Sequence, residues 1–144
     1  MSNIEIKTDK ELDCSIVEFS NANFKLVSGS ILKNFKLAFK TFGSLNKSKS
    51  NAILICHALT GDQYVSGNNP ITERDGWWSR MVGPHKPIDT NKFFVICSNV
   101  LGGCSGSTGP KQKKDGGDVI YGISFPSITI KDMVSAQAKL IDEL

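Results

Sequence analysis

The segment Phe93 to Pro110, F-F-V-I-C-S-N-V-L-G-G-C-S-G-S-T-G-P, limits the possible folds more than any other part of the chain. Five apolar residues, Phe93 to Cys97, follow one another without polar alternation. Such a run suits a strand covered on both faces, as in a parallel sheet. It opens directly into a loop with four glycines. Open α/β sheets hold their ligands beyond the carboxyl ends of strands, so this loop marks the edge where chemistry is expected.

The segments upstream divide into two kinds. Residues 1–50 read as antiparallel β structure. Ile16, Val17 and Phe19 are β-prone, and the stretches 23–27 and 35–39 flank a turn at Ser28-Gly29-Ser30. Phe35, Leu37 and Phe39 alternate with Lys36, Ala38 and Lys40, the period of a strand with one covered face. Gly43 to Asn51 is a polar linker. At Ala52 the character changes. Ala52 to Cys56, A-I-L-I-C, is a second short apolar run and is expected to be a buried strand. Asp75 is placed to cap a short helix over 76–82, which Gly83-Pro84 would stop. Leu101 to Ser127 is irregular, and a loop of that length in a compact domain generally has a function. Thr129 and Asp132 make a capping-box start for a final helix. Ile130, Met133, Val134, Gln137, Leu140, Ile141 and Leu144 share one face of it at helical spacing. The expected architecture is one α/β domain over 1–144, with antiparallel strands first and parallel strands with helices after.

Bulk properties exclude several classes. The chain has 144 residues, 40% hydrophobic and 22% charged, as an ordinary globular domain does. The net charge is +3, and the densest basic group, Lys111, Lys113 and Lys114, lies in a Gly-rich loop without an aromatic platform. This reads as a solvated loop, so no nucleic-acid partner is expected. No apolar run approaches the roughly 18 residues that span a bilayer, and the first residues lack a signal-peptide core. Cys14, Cys56, Cys97 and Cys104 show no C-x-x-C spacing and are read as free thiols in a reducing cytoplasm. A zinc site from Cys56, His57, Cys97 and Cys104 would lack the paired spacing such sites use, so no metal is expected.

The chemistry-bearing residues cluster after the two apolar runs. His57-Ala58-Leu59-Thr60-Gly61 leaves the first run directly. A backbone N–H at such a strand end is held rigidly, as an oxyanion donor must be. Leu59 would be that donor, with Gly61 letting the turn bend away. The residues alone leave an ordinary strand-to-loop exit equally open. His57 reads as a structural histidine bonded to nearby backbone, and His85 as a solvated one. Ser105, Ser107 and Thr108 have hydroxyls but no G-x-S-x-G elbow around them. Pro110 before Lys111 rules out a phosphate-binding loop. Nothing identifiable in the sequence makes Cys104 a reactive thiol. Trp77-Trp78 reads as core or lid packing.

Taken in order, Asn51 to Gly61, Gly76-Trp77-Trp78, Ile88-Asp89-Thr90, Phe93 to Pro110, Tyr121-Gly122 with Phe125-Pro126, and the helix from Thr129 resemble the homoserine O-acetyltransferases. The resemblance runs from about Phe35 onward. It implies an α/β-hydrolase fold and transfer of an acetyl group from acetyl-CoA to the hydroxyl of L-homoserine, through an acyl-serine, in methionine biosynthesis. Acetyl-CoA would be a co-substrate, with no cofactor and no metal. The family's Ser-Asp-His triad would lie downstream of Leu144, and only the oxyanion position, Leu59, carries over. The chain is then expected to be the amino-terminal part of such an enzyme, inactive alone, cytoplasmic, and part of a homodimer when complete. Two alternatives stand beside this reading. One is a succinyl-CoA-dependent homoserine or serine O-acyltransferase of the same family. The other is a non-catalytic partner subunit that docks on a separate carboxyl-terminal half through the apolar face of the last helix.

Overall fold

The computed structural model describes residues 3–114 and 117–144. The chain opens with a hairpin of β1 (Asn3–Asp9) and β2 (Cys14–Ser20), paired antiparallel over seven residues. Asp9 closes its turn by accepting the N–H groups of Glu11 and Leu12, each at 3.0 Å. The next strands, β3 (Phe24–Lys25) and β4 (Ile31–Leu32), form a small ribbon around the expected turn, where Gly29 takes a φ of 87°. They lead into β5 (Phe35–Phe42) and, after the polar linker, β6 (Ala52–Ile55). Two short ribbons follow, β7 (Asn68–Asn69) with β8 (Arg74–Asp75), and β9 (Val82–Gly83) with β10 (Ile88–Asp89). Then come β11 (Phe94–Ser98), a 3-10 turn at Gly122–Ser124 and α1 (Ile130–Asp142).

Five strands make one mixed sheet in the order β1-β2-β5-β11-β6. β1, β2, β5 and β11 pair antiparallel in sequence, whereas β11 and β6 are parallel. The expected change from antiparallel to parallel strands is therefore present. β11 shows why its run is so apolar. Ile96 joins the core under α1 with Leu37, Phe39, Leu101, Ala136 and Leu140. Val95 and Cys97 point to the other face and pack with Ile55, Val65 and Val82. Both faces are covered, so no polar alternation is tolerated.

Two expectations are corrected. β6 is only partly buried: Ile55 is buried, but Leu54 and Ala52 are exposed. It ends the sheet order, so among the described residues only one of its sides is paired. The short helix over 76–82 is absent. The N–H groups of Gly76, Trp77 and Trp78 instead bond the carbonyls of Gly67, Tyr64 and Val65 at 2.6, 3.1 and 2.9 Å. These tertiary bonds, together with Gly76 pressed against the Ser66 backbone, hold 77–81 as turns that lead into β9. On α1 the buried residues are Asp132, Ala136, Gln137 and Leu140, while Ile130 and Val134 are 72% and 55% exposed and Ile141 is exposed as well, so part of its apolar face is left uncovered, as the sequence implies. The apolar stripe is wider than the sheet beneath it.

The long irregular region is confirmed apart from residues 115 and 116, which lie outside the described residues. Among the described residues no helix is long and apolar enough to cross a membrane.

Candidate functional site

β6 and β11 run parallel in register, with Cys97 opposite Ile55. Their carboxyl ends therefore release two loops side by side, the turn from His57 and the glycine loop from Asn99. Residues two positions further along each strand, His57 and Asn99, stand level at this edge. The sequence suggested neither this pairing nor any part for Asn99.

The His57 ring joins the two loops. Its Nδ1 lies 2.7 Å from the Ala58 carbonyl oxygen. Its Nε2 accepts the Val100 N–H at 3.2 Å and faces Asn99 Nδ2 at 3.5 Å. A carbonyl cannot donate and an amide N–H cannot accept, so these partners put the donor proton on Nδ1 and leave Nε2 as the acceptor. Asn99 is oriented in turn, because its Oδ1 accepts the Ser105 N–H at 3.1 Å. A Cβ at Gly103 would lie 2.5 Å from that Oδ1, so only glycine lets the loop close over the Asn99 amide. The wholly buried Gln63 donates from Nε2 to the Ser105 carbonyl at 2.9 Å, a second tie between the loops. The structural reading of His57 holds.

The Ala58–Gly61 turn is closed by a 2.8 Å bond from the Gly61 N–H to the Ala58 carbonyl. A Cβ on Gly61 would meet His57 Cβ at 2.9 Å, so the glycine is what lets the turn fold back on the histidine. Leu59 sits at the tip and is 98% exposed. Among the described residues its N–H makes no hydrogen bond.

Two of the three hydroxyl candidates, Ser107 and Thr108, are taken up by the edge of β5. Ser107 donates to the Asn99 carbonyl at 2.6 Å and accepts the Ala38 N–H at 3.0 Å. Thr108 accepts the Lys36 N–H on its hydroxyl at 2.9 Å and donates its own N–H to the Lys36 carbonyl. Both are buried and fill the edge of β5 beyond the end of β11, so neither hydroxyl is available as a nucleophile. Burial pushes the Cys97 thiol up to about 12, which keeps it protonated. Cys56 and Cys104 are exposed, and His85 is exposed in a loop. Trp77 and Trp78 stack at 5.9 Å between ring centroids and are exposed rather than buried in the core. The Trp77 indole N–H holds the Asp62 carbonyl at 3.0 Å, beside the turn. Among the described residues no three His, Cys, Asp or Glu side chains gather as a metal ion would require.

No family model matches the chain. It is 59% identical over 117 residues to the homoserine O-acetyltransferase of Acidiphilium cryptum, covering 81% of this chain and 31% of that protein. The homoserine O-acetyltransferase of Rhodospirillum rubrum is 50% identical over 142 residues, or 99% of this chain and 36% of the relative. The crystal structure of homoserine O-acetyltransferase from Bacillus anthracis superimposes with a TM-score of 0.74 at 29% identity, over 99% of this chain and 36% of that one. Esterase E22 superimposes with a TM-score of 0.73, also at 29% identity, over 99% and 37%. The chain thus spans about a third of the length of the curated relatives it matches. Over that third it belongs to the family of the homoserine O-acetyltransferases, and its mixed sheet is that of the α/β-hydrolase fold.

Proposed function

We propose that this chain supplies the oxyanion side of an acyltransferase site that moves an acetyl group from acetyl-CoA to the hydroxyl of L-homoserine. The observation that carries the proposal is the unpaired Leu59 N–H on a braced turn at the carboxyl edge of two parallel strands. In the first step a serine oxygen attacks the thioester carbonyl and the negative charge collects on the carbonyl oxygen. A rigid N–H aimed at that oxygen stabilises the charge where it develops. The C–S bond then breaks, the thiol leaves with a proton, and the acyl-serine remains. The homoserine hydroxyl repeats the attack, forming the ester and returning the serine. The nucleophile, its base and the acid that orients the base come from polypeptide outside these 144 residues. No cofactor or metal is needed for this chemistry. The four free thiols, two of them buried, support a cytoplasmic location.

Likeness to an esterase at a similar TM-score supports a second reading, in which water takes the place of homoserine. The same test separates them. Residues 3–144 replace the matching segment of the Rhodospirillum rubrum relative, and acetyl-CoA consumption is followed with and without homoserine. Consumption that requires homoserine supports transfer, whereas consumption without it supports hydrolysis. Within this chimera, Leu59→Pro removes the N–H at a turn position that proline fits, and is expected to lower kcat about 100- to 1000-fold. Leu59→Ala keeps the N–H and is expected to retain activity. An active Leu59→Pro enzyme rejects Leu59 as the donor.

A further inference from the structure

We infer that His57 is a positioning residue that aims the Leu59 N–H through the peptide bond joining Ala58 to Leu59. The inference rests on the oxyanion role proposed above. The Ala58 carbonyl and the Leu59 N–H belong to one planar trans peptide unit and point in opposite directions. Fixing the carbonyl therefore fixes the N–H. That carbonyl oxygen accepts two donors, His57 Nδ1–H at 2.7 Å and the Gly61 N–H at 2.8 Å. Two donors leave the peptide little freedom to rotate about its flanking bonds. They also draw electron density toward the carbonyl oxygen and make the N–H a stronger donor.

The ring itself is held from its far side. Val100 N–H and Asn99 Nδ2 both address Nε2, which keeps that nitrogen bare and leaves the proton on Nδ1. Asn99 is locked by Ser105, and Gly103 is the residue that allows this closure. The loop after β11 thus sets the tautomer of a histidine after β6, and the tautomer sets the direction of a backbone N–H. A general-base role does not fit, because both ring nitrogens are already engaged with backbone groups.

Two experiments test this. Nitrogen-15 spectra of the histidine-labelled 144-residue chain should show His57 protonated on Nδ1 and bare on Nε2; the opposite tautomer overturns the inference. The chimera described above gives the kinetic test. His57→Asn keeps a donor near Nδ1 but does not reach Val100. His57→Gln reaches Val100 but loses the donor to Ala58. The Gln variant should lose about 10- to 100-fold in kcat, with KM changed less than about threefold, and the Asn variant should recover most of the loss. A residue that merely joins the two strand ends predicts the reverse order. The reverse order, equal losses, or no loss in either variant overturns the inference. If Leu59→Pro is inactive while both His57 variants are fully active, only the positioning role fails. If Leu59→Pro is active, the oxyanion reading itself fails.

Discussion

Ser107 shows how a residue type can mislead until its neighbours are known. In sequence it is a hydroxyl in a glycine loop beside the expected active edge. In the fold it bonds Ala38, 69 residues away, and continues the hydrogen-bond ladder of β5 where β11 has ended. Ser107→Ala strips the acceptor from a buried N–H and should cost about 1–3 kcal/mol in urea unfolding of the chain. The loss should appear in stability with no change in the type of acyl-enzyme formed by the chimera. His57 was more legible, because a histidine directly after a buried strand has backbone within reach. Its partners Asn99 and Val100 were not, since they lie 42 and 43 residues further on. A polar residue after an apolar strand was the one available signal for Asn99, which the fold buries.

Among the elements, α1 was read most fully from sequence. Its capping box is present: Thr129 Oγ1 accepts the Asp132 N–H at 3.3 Å, and Asp132 Oδ2 accepts the Thr129 N–H at 2.7 Å. Asp132 does more than its spacing suggests, because its Oδ1 also takes the Val27 N–H at 2.8 Å and ties the helix start to the segment after β3. Burial alone would raise this carboxyl's pKa. The hydrogen bonds from Thr129 and Val27 outweigh that and hold it below its ordinary value of 3.8. A carboxyl with a depressed folded pKa stabilises the fold above its ordinary pKa and loses that contribution as pH falls through the lower, folded value. The melting temperature of Asp132→Asn should therefore lie below that of the native chain near neutral pH. The two should converge only once the pH has fallen below that lower, folded value. Thr129→Ala should cost about 1 kcal/mol at neutral pH. The expected helix over 76–82 failed for the complementary reason: its first N–H groups are claimed by carbonyls of 64–67, contacts that local propensity does not register.

For the molecule as a whole, the core and the site respond to different changes. Leu140 is fully buried among Leu37, Phe39 and Ile96, so Leu140→Ala should destabilise the chain by about 2–5 kcal/mol in denaturant unfolding. The 144-residue chain, tested alone with acetyl-CoA and homoserine, should release no free thiol above background, because the proposed oxyanion donor has no nucleophile–base pair beside it among the described residues. Thiol release above background would show a nucleophile within these residues. The sequence by itself determined the strand types, the capped helix and the two loops at one sheet edge, because periodicity and capping are local properties of the chain. It also carried the family resemblance in its ordered motifs. Only the tertiary structure decided which hydroxyls serve the β5 edge, which side of α1 is covered, and how a histidine after one strand is held by the loop after another. Those outcomes depend on backbone groups brought together from distant positions, and each of their hydrogen bonds is satisfied only once the sheet has formed.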